Sequence, residues 1–260
     1  MIRLAEVLKR DRLIVVGGIA LLTVFAWWYT VNGARQMSGL TMQMGQADPN
    51  PWSISSLLPL FLMWMVMMVA MMLPSATPMI LTFAAVARNR RQHQRPYVPV
   101  AVFVSGYLAI WGGFSAVATT AQWLLHRWAL LSPMMVSSSA LFGGVLLLLA
   151  GIFQFSPLKR SCLTHCRAPL EFITAHWREG RGGAFVMGLE HGLFCTGCCW
   201  ALMALLFALG VMNLLWIALL SVLVGLEKIL PRRSYVSRGT GVLLALWGFW
   251  VLFSAGLPIR

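Results

Sequence analysis

Apolar residues along this 260-residue chain come in long unbroken blocks separated by short polar stretches. A bilayer core of about 30 Å takes roughly 20 apolar residues in helical form. Blocks of that kind occupy residues 13–31, 57–87, 97–124, 137–155, 183–209, 211–230 and 240–257. They are too long and continuous for barrel strands, and in lipid only helices or closed barrels satisfy the backbone. The pattern predicts an all-α polytopic transmembrane bundle of about seven spans, a single integral membrane domain over 1–260. The longest connections, 32–56 and 156–182, are short loops, so no separate soluble domain is expected.

Composition points the same way. Hydrophobic residues make up 59% and charged residues 10%, against roughly 45–50% and about 25% in a soluble domain. The net charge of +13 is mostly topological. Arg3, Lys9, Arg10 and Arg12 precede the first span, and Arg88, Arg90, Arg91 and Arg95 follow the second. Lys159, Arg160, Arg167, Arg178 and Arg181 follow the fourth, and Lys228, Arg232, Arg233 and Arg238 lie at or beyond the end of the sixth. The opposite side keeps Arg35, Arg127 and Arg260. The positive-inside rule then puts the amino terminus in the cytoplasm and the carboxyl terminus outside. The 156–182 connection becomes a cytoplasmic loop. No basic-aromatic binding module is visible, so nucleic acid is excluded as a partner and the lipid bilayer takes its place. The first span resembles a signal peptide, but its core is long and no small-residue cleavage site follows Val31. An uncleaved anchor is expected.

The polar chemistry is concentrated. All five cysteines fall in two clusters. The first is Cys162-Leu-Thr-His165-Cys166, in the expected cytoplasmic loop. Structural disulfides are disfavoured there, so metal binding or thiol exchange is the natural reading. The second is Glu190-His191-Gly-Leu-Phe-Cys195-Thr-Gly-Cys198-Cys199, inside the fifth span. At about 100° per residue, His191, Cys195, Cys198 and Cys199 share one stripe roughly 100° wide. A rise of about 1.5 Å per residue places them roughly 12–24 Å along the helix from Gly183, deep in the bilayer. A lone cysteine in a span is usually a small hydrophobe. Three within five residues, one turn after a histidine, make a ligand set.

Two acids lie in predicted spans, Glu190 and Glu227. An intramembrane carboxylate costs about 2.5–3.5 kcal/mol on insertion scales and is a functional candidate by default. Glu190 is a candidate metal or proton-relay group. Glu227, followed by Lys228 near the span's edge, is expected in a local ion pair or an interfacial role. The second span carries Met63, Met65, Met67, Met68, Met71, Met72 and Met79, out of 16 methionines. Met65, Met68 and Met72 share one face. Thioether ligation of a soft metal is expected of this cluster, although methionine often only fills gaps. Pro74 and Pro78 should break or kink this helix, and interrupted membrane helices often mark binding sites. Met37, Met42 and Met44 offer an external capture loop, or simply an interfacial one. His176 is expected in a short interfacial helix, and His93 and His126 have no assigned role.

Three stretches together resemble a bacterial family of predicted metal-binding integral membrane proteins. They are Trp64 to Ser75, Ser156 to Arg167, and His176 through Trp200 with Met187-Gly-Leu-Glu-His-Gly-Leu-Phe-Cys-Thr-Gly-Cys-Cys-Trp. The likeness spans about residues 52–230. It implies a helical membrane fold, metal binding and a bacterial inner-membrane location, but no substrate or reaction.

The choice of metal comes from ligand softness. Thiolate and thioether select Cu(I), while imidazole suits copper and zinc. The expected site comprises His191, Cys195, Cys198, Cys199, Cys162, Cys166, His165, Met65, Met68, Met72 and Glu190, serving copper transport, delivery or storage. A metallochaperone or cuproprotein would be its partner. No nucleotide-binding loop is present, so a pump driven by its own nucleotide hydrolysis is excluded. Two other readings stand beside it. Cys195 and Cys198 form a C-x-x-C pair suited to thiol–disulfide exchange. Glu190 beside His191 suits acid–base chemistry in a membrane metalloenzyme.

Overall fold

The computed structural model describes residues 2–43, 57–92, 98–128, 139–230 and 235–256. Met44 and His93 lie outside these, as do the side chains of Met37 and Met42, so the outer capture loop is not described. Among the described residues the chain is helical throughout, with no strand. In order the helices are α1 (Ile2–Gln43), α2 (Leu57–Gln92), α3 (Val100–Arg127), α4 (Ala140–Phe153) and α5 (Pro157–Arg167). There follow α6 (Pro169–Ala175), α7 (Gly180–Ala204), α8 (Leu206–Leu209), α9 (Leu214–Ile229) and α10 (Tyr235–Gly256).

Five stretches are long and apolar enough to cross a membrane: 12–36, 57–90, 100–127, 180–209 and 235–255. The fourth predicted span differs from expectation. Its helix α4 has 14 residues, and the chain then turns by 63° into α5. Pro157 cannot continue a helix from α4, while the Ser156 hydroxyl accepts the Lys159 amide and starts a new one. Counted as one bent span, this pair gives a sixth. The sixth predicted span is the 16-residue α9, started by Asn213 Oδ1 accepting the Leu215 and Trp216 amides.

Two expectations change on sight of the fold. The 156–182 connection is mostly helix, and α5 packs against α7 rather than standing free. The interruption expected in α2 is absent: the helix runs through Pro74 and Pro78. Both prolines stand on an exposed face. The Ser75 and Thr82 hydroxyls donate to the carbonyls of Met72 and Pro78, at 2.8 Å each. Local side-chain bonds of this kind let a proline stay within a membrane helix.

The centre of the bundle is set by how closely α3 and α7 approach. A Cβ added to Gly188 would overlap the Phe103 carbonyl, and one on Gly106 would overlap the Phe185 carbonyl. Gly192 faces the Tyr107 carbonyl and Ile110 in the same seam. Gly188 and Gly192 are spaced as a small-x-x-x-small pair, which lets two helical backbones meet. The matched order along both helices makes them parallel. Helices α4 and α10 cross in the same manner, Gly144 against Gly248 and Gly151 against Gly241 and Ala245, but antiparallel. Trp64 packs on Phe207 and Met72 meets Cys199, so α2 runs antiparallel to α7. Ser221 donates to the Met71 carbonyl and Lys228 to Ser75, so α9 runs with α2.

Substitution at the seam should therefore be costly. Gly188→Val and Gly106→Val are each expected to lower the thermal midpoint of the detergent-purified protein by overpacking, at roughly 1–3 kcal/mol or more. Gly113→Ala meets open space and should leave the midpoint unchanged or slightly raised.

Candidate metal centre

Helix α7 carries the stripe read from the sequence, and it faces inward. His191, Cys195, Cys198 and Cys199 are all buried. Its glycine face holds it against α3, which brings Tyr107 over the stripe. The His191 ring stacks near Tyr107 at 5.5 Å and Phe103 at 6.1 Å, with Phe172 of α6 tilted at 5.7 Å. Among the described residues, neither ring nitrogen of His191 has a hydrogen-bond partner. A buried imidazole held by aromatic rings with both nitrogens unsatisfied is unusual, since buried polar atoms are nearly always paired. It fits a group reserved for a ligand.

The two cysteine clusters meet. Helix α5 lies on α7 at Gly197, where an added Cβ would stand 2.8 Å from Cys162 Sγ. One turn on, Cys166 is buried in the same core as Cys198. The thiols of Cys198 and Cys199 each donate to the Cys195 carbonyl at 3.0 Å. Cys199 Sγ stands 3.9 Å from Met72 Sδ of α2. All five cysteines are free and buried. Sulfur from three helices is therefore gathered in one apolar core.

Cys195 has the most polar surroundings. Its sulfur lies 3.2 Å from the Tyr107 hydroxyl and 3.1 Å from Lys228 Nζ. Tyr107 also donates to the Met72 carbonyl at 3.1 Å, and Lys228 to Ser75 Oγ at 2.7 Å. Ser75 in turn donates to the Met72 carbonyl. Lysine, serine, carbonyl, tyrosine and thiol thus close a ring around the cluster. Lys228 also lines a cavity of about 480 Å³ with Arg167 and Glu171. The adjacent Glu227 faces elsewhere. It forms a buried ion pair with Lys159 of α5 at 2.7 Å, and Arg167 Nε donates to its backbone carbonyl. The local Glu227–Lys228 pairing expected from the sequence is replaced by these two separate engagements.

The remaining candidates are spread out. Glu190 leaves the sulfur core and pairs with Arg178 at 2.8 Å, its other oxygen buried without a partner. His165 stacks on Phe194 at 4.2 Å, with Nδ1 on the Ser161 carbonyl. His176 follows α6 and stacks on Phe172 at 4.8 Å. Met68 is fully buried and Met65 half-buried, one and two turns from Met72 on the same face. Among the described residues, no three His, Cys, Asp or Glu side chains already stand as a ready metal site. The thiols of Cys198 and Cys199 are turned toward the Cys195 carbonyl, so gripping an ion requires them to rotate.

Sequence reasoning missed Tyr107, Lys159, the inward turn of Lys228 and the bond of Ser75 to that lysine. Lys228 carried a signal, because a lysine at the end of an apolar span is costly unless paired. Tyr107 carried none.

The fold and this core define a class: an all-helical chain with five or six membrane-length apolar stretches around a buried sulfur cluster. The PpoB2 family model, described as a copper chaperone, matches residues 61–251, more than two-thirds of the chain. The chain belongs to that family, and every cysteine of the cluster lies within the match. No curated protein and no solved structure matches it.

The Lys159–Glu227 pair gives a stability test. Lys159→Met or Glu227→Leu alone leaves one charge buried, and each should cost roughly 3–5 kcal/mol. The double substitution should recover most of that loss in thermal unfolding of the purified protein.

Proposed function

We propose that this chain is an integral membrane protein that holds Cu(I) as cargo on its thiol cluster and hands it to a protein acceptor. The convergence of Cys162, Cys166, Cys195, Cys198 and Cys199 with Met72 in one buried core carries this reading. Soft sulfur ligands favour Cu(I), and the family's description supports copper as the cargo. His191, with both nitrogens unsatisfied, is the fitting nitrogen ligand. Met68 and Met65 lead away from the cluster along α2 as weaker thioether stations. Cys162 and Cys166 give a second pair through which the ion leaves. His165 and Glu190 act outside the sulfur core in this account, His165 beside the exit and Glu190 as the partner of Arg178.

The membrane reading has its own support. Five apolar stretches, or six with the bent α4–α5 pair, are long and apolar enough to cross a membrane, and the seven crossings of this reading add the shorter, 16-residue α9. The basic residues beside alternate spans support an amino terminus in the cytoplasm of a bacterial inner membrane and a carboxyl terminus outside. Lys159, Arg167 and Lys228 then mark the cytoplasmic end of the cluster.

A second reading rests on one juxtaposition. Cys166 is buried in the same core as the C-x-x-C pair of Cys195 and Cys198, as a partner in disulfide exchange would be. The methionine face of α2 has no part in that chemistry.

Metal analysis of full-length protein purified in detergent and reductant separates the two. About one soft metal per chain is expected when Cu(I) is offered, falling close to zero in Cys195→Ser/Cys198→Ser. Met72→Ala should keep the stoichiometry and weaken Cu(I) retention against a competing chelator. Metal-free protein with a reversible Cys166–Cys198 disulfide would instead establish thiol exchange.

A further inference from the structure

Lys228 is 8% exposed at the end of α9, yet among the described residues no ion pair joins it to a carboxylate. Its sequence neighbour Glu227 is held by Lys159. The Lys228 ammonium donates to Ser75 Oγ at 2.7 Å and to Cys195 Sγ at 3.1 Å. A buried cation is expensive unless negative charge stands beside it. The sulfur cluster is the group in contact that can supply that charge.

Charge counting then separates the ions. Two thiolates and a monovalent cation carry one net negative charge, which the ammonium neutralises. Two thiolates and a divalent cation are already neutral, and Lys228 is left uncompensated in an apolar core. A divalent ion regains balance only by recruiting a third thiolate. That requires three side chains to turn together, and no such three-ligand arrangement stands among the described residues.

We propose that Lys228 is a specificity-determining residue whose fixed positive charge makes the thiol cluster favour a monovalent soft cation over a divalent one. The proposal rests on the copper reading of the same cluster and adds the residue that sets the charge of the preferred ion. Ser75 is the positioning partner: its hydroxyl accepts from the ammonium and donates onward to the Met72 carbonyl, fixing where the charge sits. Lys228 also lines the cavity beside Arg167 and Glu171.

The test compares Ag(I) with Cd(II), two thiophilic ions that differ in charge and keep their oxidation state under reductant. Full-length protein in detergent is titrated with each against a small dithiol of known affinities. Lys228→Met, which keeps an apolar stem without the charge, should lower the Ag(I)-over-Cd(II) preference by at least about tenfold. Lys228→Arg should keep most of it. Thermal unfolding of the apo variants checks that they fold. Should Lys228→Met not fold, wild type alone decides, since its preference must exceed that of the small dithiol by a similar margin. A folded Lys228→Met with wild-type preference overturns the proposal, and so does a wild type no more selective than the dithiol. A wild type that takes up neither ion sinks the copper reading itself, whereas uptake of Ag(I) without a role for Lys228 sinks only this inference.

Discussion

Gly197 has no side chain, and the sulfur of Cys162 fills the space that one would take. That approach of α5 onto α7 is the constraint on which the rest depends. It turns two separate cysteine motifs into one cluster and buries Cys166 in the same core as Cys198. The bend after α4 makes it possible, because a straight continuation of that helix would carry Cys162 and Cys166 away from α7. Pro157 and the Ser156 cap fix where the bend falls. The glycine seam between α3 and α7 completes the enclosure by bringing Tyr107 to Cys195 and aromatic faces to His191.

Electrostatics follow from that enclosure. Burying thiols in an apolar core would ordinarily keep them protonated and inert. Here two lysines are buried with them. Lys159 is matched by Glu227, and among the described residues Lys228 is matched only by sulfur and a hydroxyl. The pairing leaves one positive charge assigned to the cluster. A site of this kind would suit an ion that must be held without being held permanently, since the thiols of Cys195, Cys198 and Cys199 already have competing hydrogen-bond partners. Exchange between a carbonyl-bonded thiol and a metal-bonded thiolate replaces one interaction by another instead of creating a vacant, unsatisfied group.

Much of this was legible in the chain. The stripe of His191, Cys195, Cys198 and Cys199 was set by helical periodicity, and it is buried as that periodicity implied. The methionine face of α2 was legible for the same reason, and Met72 reaches Cys199. Contacts between distant segments were not legible, because spacing within one helix carries no information about which helix packs on it. So the 156–182 connection read as a loop, although its apolar and cysteine positions also suit a helix lying on a neighbour. Glu190 read as a functional acid because it lies mid-span, but Arg178, twelve residues back, reaches it. Pro74 and Pro78 read as a break or a kink, and their exposed position and the nearby hydroxyls let the helix continue without a break. Glu227 was read into an ion pair and forms one, but with Lys159 of α5, because residues adjacent in sequence on a helix point in different directions.

The central claim is that sulfur from α5 and α7 grips the same ion. X-ray absorption at the copper edge of Cu(I)-loaded protein tests it most directly. The account predicts a first shell dominated by sulfur, and a changed shell when Cys166 alone is replaced by serine. A shell of nitrogen and oxygen, or one indifferent to Cys166, would contradict it.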